Sequence, residues 1–224
     1  MSNQVLSAAL QELERFYTEN EFQAGIDYLL ANREQWQPAQ YHELLGSFYM
    51  KLDNFAVARY HFELALNKGA YSESLINNLD YSVAQMGLIQ AGGGSWYQNT
   101  VEVINSLPVE FWISLTLIFL SVAIWKLRFQ LKAKAYFRLV VFSLLATTAQ
   151  VYYWGFLNDQ MYAIVLEELP VHEGPSAVFG VQKTLRAGEK IRVGKTAEGW
   201  SLIVAPAFYR GWVQNESLGF IRRL

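Results

Sequence analysis

Apolar and polar positions follow a different rhythm in each third of this chain. Through residues 1–90 apolar side chains recur every three to four positions among charged ones, the spacing of amphipathic helices. From 109 to 157 the polar stripe disappears: the run 109–127 is uncharged over 111–125, and the run 139–157 has only Ser143, Thr147, Thr148 and Gln150 as polar members. Each is long enough to cross a bilayer as a helix. Beyond 161 the runs shorten into alternation broken by turns, the mark of strands. The pattern predicts a multi-domain membrane protein. Its parts are all-α helical repeats at 1–90, a joint at 91–108, a two-helix transmembrane hairpin at 109–157, and a small all-β barrel at 161–224.

The connector 126–138 orients that hairpin. It carries Lys126, Arg128, Lys132, Lys134 and Arg138 with no acid, and short basic loops stay cytoplasmic. Both ends of the chain are then expected on the periplasmic side of a bacterial inner membrane, as a multi-pass protein. Trp112 with Tyr152, Tyr153 and Trp154 would form one interfacial belt, and Trp125 the other. The alternative, a buried hairpin of a soluble protein, calls for a polar stripe that neither run shows. Residues 1–10 have neither a basic start nor a sufficient apolar run, so no secretory signal is read there. That sits in tension with an outward N-terminal part. The glycine-rich segment 91–95 reads as a flexible joint, and Trp96, Val101, Val103, Ile104 and Leu107 as an interfacial helix before Pro108.

Composition narrows the chemistry. The net charge is −2, but residues 1–108 hold twelve acids against five bases, so the basic excess lies in the connector, facing lipid headgroups rather than nucleic acid. With no cysteine, disulfides, thiolate metal sites and cysteine nucleophiles are excluded. His42-Glu43 begins like a zinc-protease motif, but Gly46 stands where its second histidine is required. His61 and His172 are lone histidines, and Glu12, Glu63 and Glu73 read as solvated helix surface. No cofactor or metal site is expected, and no enzyme.

Leu45, Gly46, Tyr49, Ala58, Phe62 and Ala65 fall at the spacing of a tetratricopeptide repeat, which this stretch resembles, with His42 where that family usually has tryptophan. Gly46 and Ala58 are small where paired helices would cross closely, and Tyr49, Phe62 and Leu66 fill the space between. A second copy is legible upstream, where Asn20-Glu21-Phe22 aligns with Asp53-Asn54-Phe55 and Leu29 with Phe62, and residues 71–86 supply a capping helix. The resemblance implies a stack of helix pairs whose concave face holds a partner segment.

Residues 161–224 resemble bacterial SH3-like (SH3b) domains through Ala163-Ile164-Val165, Glu173-Gly174-Pro175-Ser176, Leu185-Arg186-Ala187-Gly188-Glu189, and the paired steps Gly199-Trp200 and Gly211-Trp212-Val213. Strands are expected near 162–167, 190–195, 201–204 and 211–213. Glycine would permit a bend or a close approach, and Trp200 and Trp212 read first as barrel packing and second as ligand platforms. Phe208, Tyr209 and Arg210, in the proline-containing loop between the two steps, are the better candidates for contact with wall glycan or a protein tail. Phe208 folding back over the barrel's open end remains the alternative.

Together these parts resemble the membrane-bound tetratricopeptide proteins of bacterial aerotolerance-type (Bat) operons. That resemblance implies a membrane-anchored envelope adaptor, binding protein partners through its repeats and cell wall or protein through its barrel. Implied partners are the lipid bilayer, membrane proteins with von Willebrand A-type domains, a MoxR-type ATPase and peptidoglycan, with no nucleic acid. The alternative function is an accessory or catalytic component of a cell-wall hydrolase system.

Overall fold

The structure, a computed structural model, describes residues 3–88 and 161–222 together with helical positions 114, 117, 118 and 121. The N-terminal part is five helices: α1 (Asn3–Thr18), α2 (Phe22–Ala31), α3 (Pro38–Lys51), α4 (Phe55–Asn67) and α5 (Glu73–Gln85). Local chemistry fixes their ends. Asn20, Asp53, Gly69 and Gly87 each take a left-handed φ, of 60°, 56°, 90° and 61°. In each case the following N–H reaches back five residues: Glu21 to the Phe16 carbonyl, Asn54 to Tyr49, Ala70 to Ala65 and Leu88 to Val83. This closure satisfies carbonyls that a helix end leaves open. At the opposite ends, the side chains of Asn54 and Ser72 accept from the N–H groups of Val57 and Leu75. Asn20 and Asp53 occupy equivalent positions of the two aligned segments, so the backbone itself repeats.

Packing between the helices is ring against small residue. A side chain on Gly46 would begin 2.6 Å from the Phe62 ring, and one on Gly25 would strike Phe48. Ala9, Leu13, Ile26, Leu29, Trp36, Tyr41, Leu45 and Phe48 form one buried cluster, and Ala58, Phe62, Ala65, Leu75, Leu79 and Val83 a second. Each helix buries one apolar stripe and turns a mostly polar face outward.

The C-terminal part is a single antiparallel sheet of seven strands: β1 (Met161–Val165), β2 (Leu169–His172), β3 (Val181–Leu185), β4 (Lys190–Ala197), β5 (Trp200–Ala205), β6 (Trp212–Gln214) and β7 (Leu218–Arg222). Its order is β3-β2-β6-β5-β4-β1-β7. All seven strands send at least one buried apolar residue into one core, from Ala163 and Val165 to Val213 and Leu218, so the sheet curls around it. β3 and β7 do not pair with each other among the described residues, so the expected closed barrel is corrected to an open, coiled sheet. β2, β3 and β7 escaped the sequence reading. Pro170 interrupts β2, β3 is mostly polar and exposed, and Gly219 breaks the alternation of β7.

Helices and sheet belong to one compact unit, 1–89 with 160–224. Leu64 of α4 is buried against Ile164 of β1 and Ile221 of β7, with Tyr60, Tyr162 and Leu166 around them. Gly219 admits the Tyr60 ring, since a Cβ there would lie 2.5 Å from it. Polar bonds edge this contact: Arg59 donates to the Gly188 carbonyl at 2.9 Å, and Lys190 donates to Glu63 Oε2 at 2.6 Å.

The expected transmembrane hairpin is corrected as well. No helix among the described residues is long and apolar enough to cross a membrane. The five helices run from 10 to 16 residues and are one-sided, whereas a span needs about 20 residues apolar on every face. Residues 109–157, on which the hairpin, the basic loop and the aromatic belts were read, lie outside the described residues apart from positions 114, 117, 118 and 121. The fold described is helices packed on a sheet, and the multi-pass inner-membrane localisation is withdrawn with the hairpin.

Candidate binding surface

The turn joining β5 to β6 separates its two aromatic residues. Pro206 is extended and leads into a 3-10 turn, Ala207–Tyr209. Tyr209 packs against the sheet core, while Phe208 points outward and is 63% exposed. Their rings stay in touch, 4.3 Å between centroids and tilted by 47°. It is therefore Tyr209, not Phe208, that folds back over the sheet's interior. Its hydroxyl donates to Glu189 Oε1 at 3.1 Å, the oxygen that Arg186 Nε approaches at 3.5 Å. Burial first, and then the bond to Glu189, push the Tyr209 phenol above its ordinary range.

Lys183 of β3 closes this corner. Its ammonium donates to the Phe208 carbonyl and lies 5.9 Å and 6.0 Å from the Phe208 and Tyr209 ring centroids. Arg210 follows the turn and is exposed. The result is a cationic, aromatic corner in which Phe208 is the outward ring.

The tryptophans sit elsewhere. Val213 belongs to the core, so its neighbour Trp212 faces the opposite side of the sheet. Leu202 pairs with Trp212, and Trp200 with Gln214, which puts both tryptophans on that outer face. Trp200 is nonetheless buried, edge-on to the His172 ring at 5.1 Å, and His172 Nδ1 donates to the Phe179 carbonyl at 2.8 Å. Trp212 is half-buried. Neither ring joins the core, and only Trp212 has surface to offer.

The two glycine-tryptophan steps work differently. Glu198 and Gly199 have φ of 44° and 84° in the two-residue turn between β4 and β5, where left-handed geometry matches the strand twist. Gly211 has a neighbour instead: a Cβ there would meet Val171 and lie 2.9 Å from the His172 carbonyl, so its bareness lets β6 approach β2.

In the helices, Leu45, Gly46, Ala58, Phe62 and Ala65 are buried at helix contacts and Tyr49 is half-buried. The structure also joins two residues that the sequence reading kept apart. His42 on α3 and His61 on α4 meet Nδ1 to Nδ1 at 3.0 Å, with Tyr49 stacked on His61. One nitrogen must donate and the other accept, so the two rings cannot both be protonated at these nitrogens. Burial is the main cause in both, bringing His42 down to about 4 and His61 to about 3, helped by the charges of Arg33 and Lys68 on the former and by His42 on the latter. The clue available in the sequence was His42 in the position where the repeat family carries a packing tryptophan. Among the described residues no group of three His, Asp or Glu side chains could hold a metal ion.

No protein-family model, curated protein or solved structure matches this chain.

Proposed function

We infer that the chain is a non-enzymatic adaptor, whose helices hold a segment of one protein and whose sheet contacts a second protein or the cell wall. The observation that carries the reading is the junction of α4 with β1 and β7, where Leu64, Ile164 and Ile221 are buried together. An apolar contact edged by the Arg59 and Lys190 bonds joins two potential contact surfaces in one body, as a scaffold requires. The repeated turn at Asn20 and Asp53 and the ring-on-glycine packing support a repeat-like array, and exposed Phe208 supports contact on the sheet side. Two pairs of titratable side chains, His42 with His61 and Tyr209 with Glu189, bond to each other where they are part-buried. That arrangement suits holding elements together better than presenting a base to a substrate.

Photo-crosslinking amino acids placed one at a time at Phe208 and at Tyr81, an exposed residue of α5, test this in cells. Discrete protein adducts are expected from both, with none from buried Leu75 as control. The von Willebrand A-type proteins and the MoxR-type ATPase that the sequence resemblance implies are the first partners to look for. Reproducible release of soluble fragments from peptidoglycan by the purified chain would overturn the adaptor reading in favour of a hydrolase role.

A further inference from the structure

β3 is an edge with an open side. It is the terminal strand of the sheet and pairs only with β2. Val181, Gln182, Lys183 and Thr184 are all exposed, and among the described residues no backbone–backbone hydrogen bond reaches them from outside the sheet ladder. Exposed edges are commonly guarded by a lysine that projects over them. Lys183 does not stand free in that way, because its ammonium is held on the Phe208 carbonyl. The edge is left as a row of unpaired donors and acceptors beside an outward aromatic ring.

The strand and the turn beside it carry only basic charge. Residues 178–186 and 206–210 contain Lys183, Arg186 and Arg210 and no acid. Glu189 Oε1 is already shared between Tyr209 and Arg186, and exposed Glu173, whose N–H donates to the Gly180 carbonyl, stands at the Val181 end. Glu167 and Glu168, in the link from β1 to β2, lie towards the Arg186 end. The Lys183, Phe208 and Arg210 end has no acidic partner among the described residues.

We propose that β3 and the Phe208 corner form a docking site for an extended acidic peptide, which adds to the sheet as an eighth strand and sets carboxylates against Lys183 and Arg210. Main-chain pairing with β3 supplies register and affinity, and the cations supply the preference for acidic side chains. Phe208 covers an apolar side chain of the same peptide. An open strand edge beside Lys183 and Arg210 favours a peptide over a nucleic acid, whose backbone cannot complete a β-ladder. The proposal rests on the adaptor reading and names the chemistry of its sheet-side partner.

Fluorescence anisotropy with the full chain tests it, using a labelled ten-residue peptide of alternating threonine and glutamate. Three comparison probes are the threonine–lysine counterpart, the same acidic peptide N-methylated at alternate residues, and a ten-nucleotide oligothymidylate. The acidic peptide is expected to bind saturably and the lysine peptide not to. N-methylation, which keeps the charge and removes backbone donors, is expected to weaken binding about tenfold or more. Arg210→Glu should weaken it about tenfold with unchanged melting, Lys183→Glu at least as much with a slightly lowered melting point because its bond to the Phe208 carbonyl is lost, and Phe208→Ala by a smaller factor. Equal binding of the N-methylated peptide would overturn strand addition, and equal or tighter binding of the oligothymidylate would make this a nucleic-acid site. A dimer in sedimentation that Lys183→Glu dissociates would make the occupant a second copy. Absence of peptide binding overturns the proposal while crosslinks from Tyr81 still uphold an adaptor; loss of both overturns the two together.

Discussion

Glycine does different work in the two halves of this unit. In the helices it is a seat for a ring: Gly46 lies under Phe62 and Gly25 under Phe48. Between strands it shapes the backbone, through the left-handed turn at Gly199 and the close strand approach at Gly211, while Gly219 of β7, where the sheet meets α4, seats the Tyr60 ring. A helix pair can thus be specified by residues on consecutive helices, Gly25 with Phe48 and Gly46 with Phe62, joined by a short turn. A coiled sheet depends on partners far apart in the chain. β1 pairs with β4 and β7, and β2 with β6.

The sharpest way to break that contrast is to fill a seat. In Gly46→Leu even the first side-chain carbon would lie 2.6 Å from a ring that is itself fully buried, leaving Phe62 nowhere to go. A loss of about 3 kcal/mol or more is expected in urea unfolding of the full chain. Gly199→Ala, with open space around it and a φ of 84°, should cost only about 1 kcal/mol from backbone strain. Equal losses for the two would mean that the helices do not close on glycine.

The junction between the halves comes next. Leu64→Ala removes a buried side chain between α4 and β1, with an expected loss of about 2–4 kcal/mol. Amide exchange should quicken in α4 and in β1 and β7 alike if the halves open together. Quickening confined to α4 would show that the sheet holds without the helices.

These contrasts also explain what could be read from the sequence. The helical pairs were legible because their turns, Asn20-Glu21-Phe22 and Asp53-Asn54-Phe55, and their small residues are local signals. The central strands β4 and β5 were legible by alternation, but the edge strand β3 was not: Val181 to Leu185 shows no buried face until its last residue. That same exposure makes it interesting as a surface. Phe208, Tyr209 and Arg210 were picked out as a group, yet which ring turns inward is decided by Glu189, twenty residues away. Lys183 and the His42–His61 pair were missed because each meets its partner across elements. Unbroken apolar runs at 109–157 suggested membrane spans, an expectation that the described helices do not support.

The histidine pair gives the helical half a pH dependence on the acid side. Folding lowers the pKa of both histidines from 6.5, so the unfolded chain binds more protons as the solution is acidified. The stabilisation is complete above about pH 6.5 and is lost as pH falls towards about 4 and 3. After screening at the partly exposed His42, the loss is on the order of 1–2 kcal/mol. His61→Phe, which keeps a ring against Tyr49, should flatten the stability profile between pH 6.5 and 4 relative to the parent chain. An unchanged slope would remove the pair from the account of stability.

The smallest effect separates the two neighbouring aromatics of the corner. Tyr209→Phe keeps the ring on the core and deletes the hydroxyl that donates to Glu189, leaving a partly buried carboxylate with Arg186 alone, so about 0.5–1.5 kcal/mol should be lost. Phe208→Ala removes a larger group but one that is 63% exposed, and its cost should stay within about 0.5 kcal/mol. The order is the reverse of what side-chain size suggests. It follows from one ring facing the core and the other facing solvent. Paired melting curves decide it: a loss for Phe208→Ala exceeding that for Tyr209→Phe would mean that Phe208 is the ring packed over the sheet, and that this corner has no outward aromatic to offer a partner.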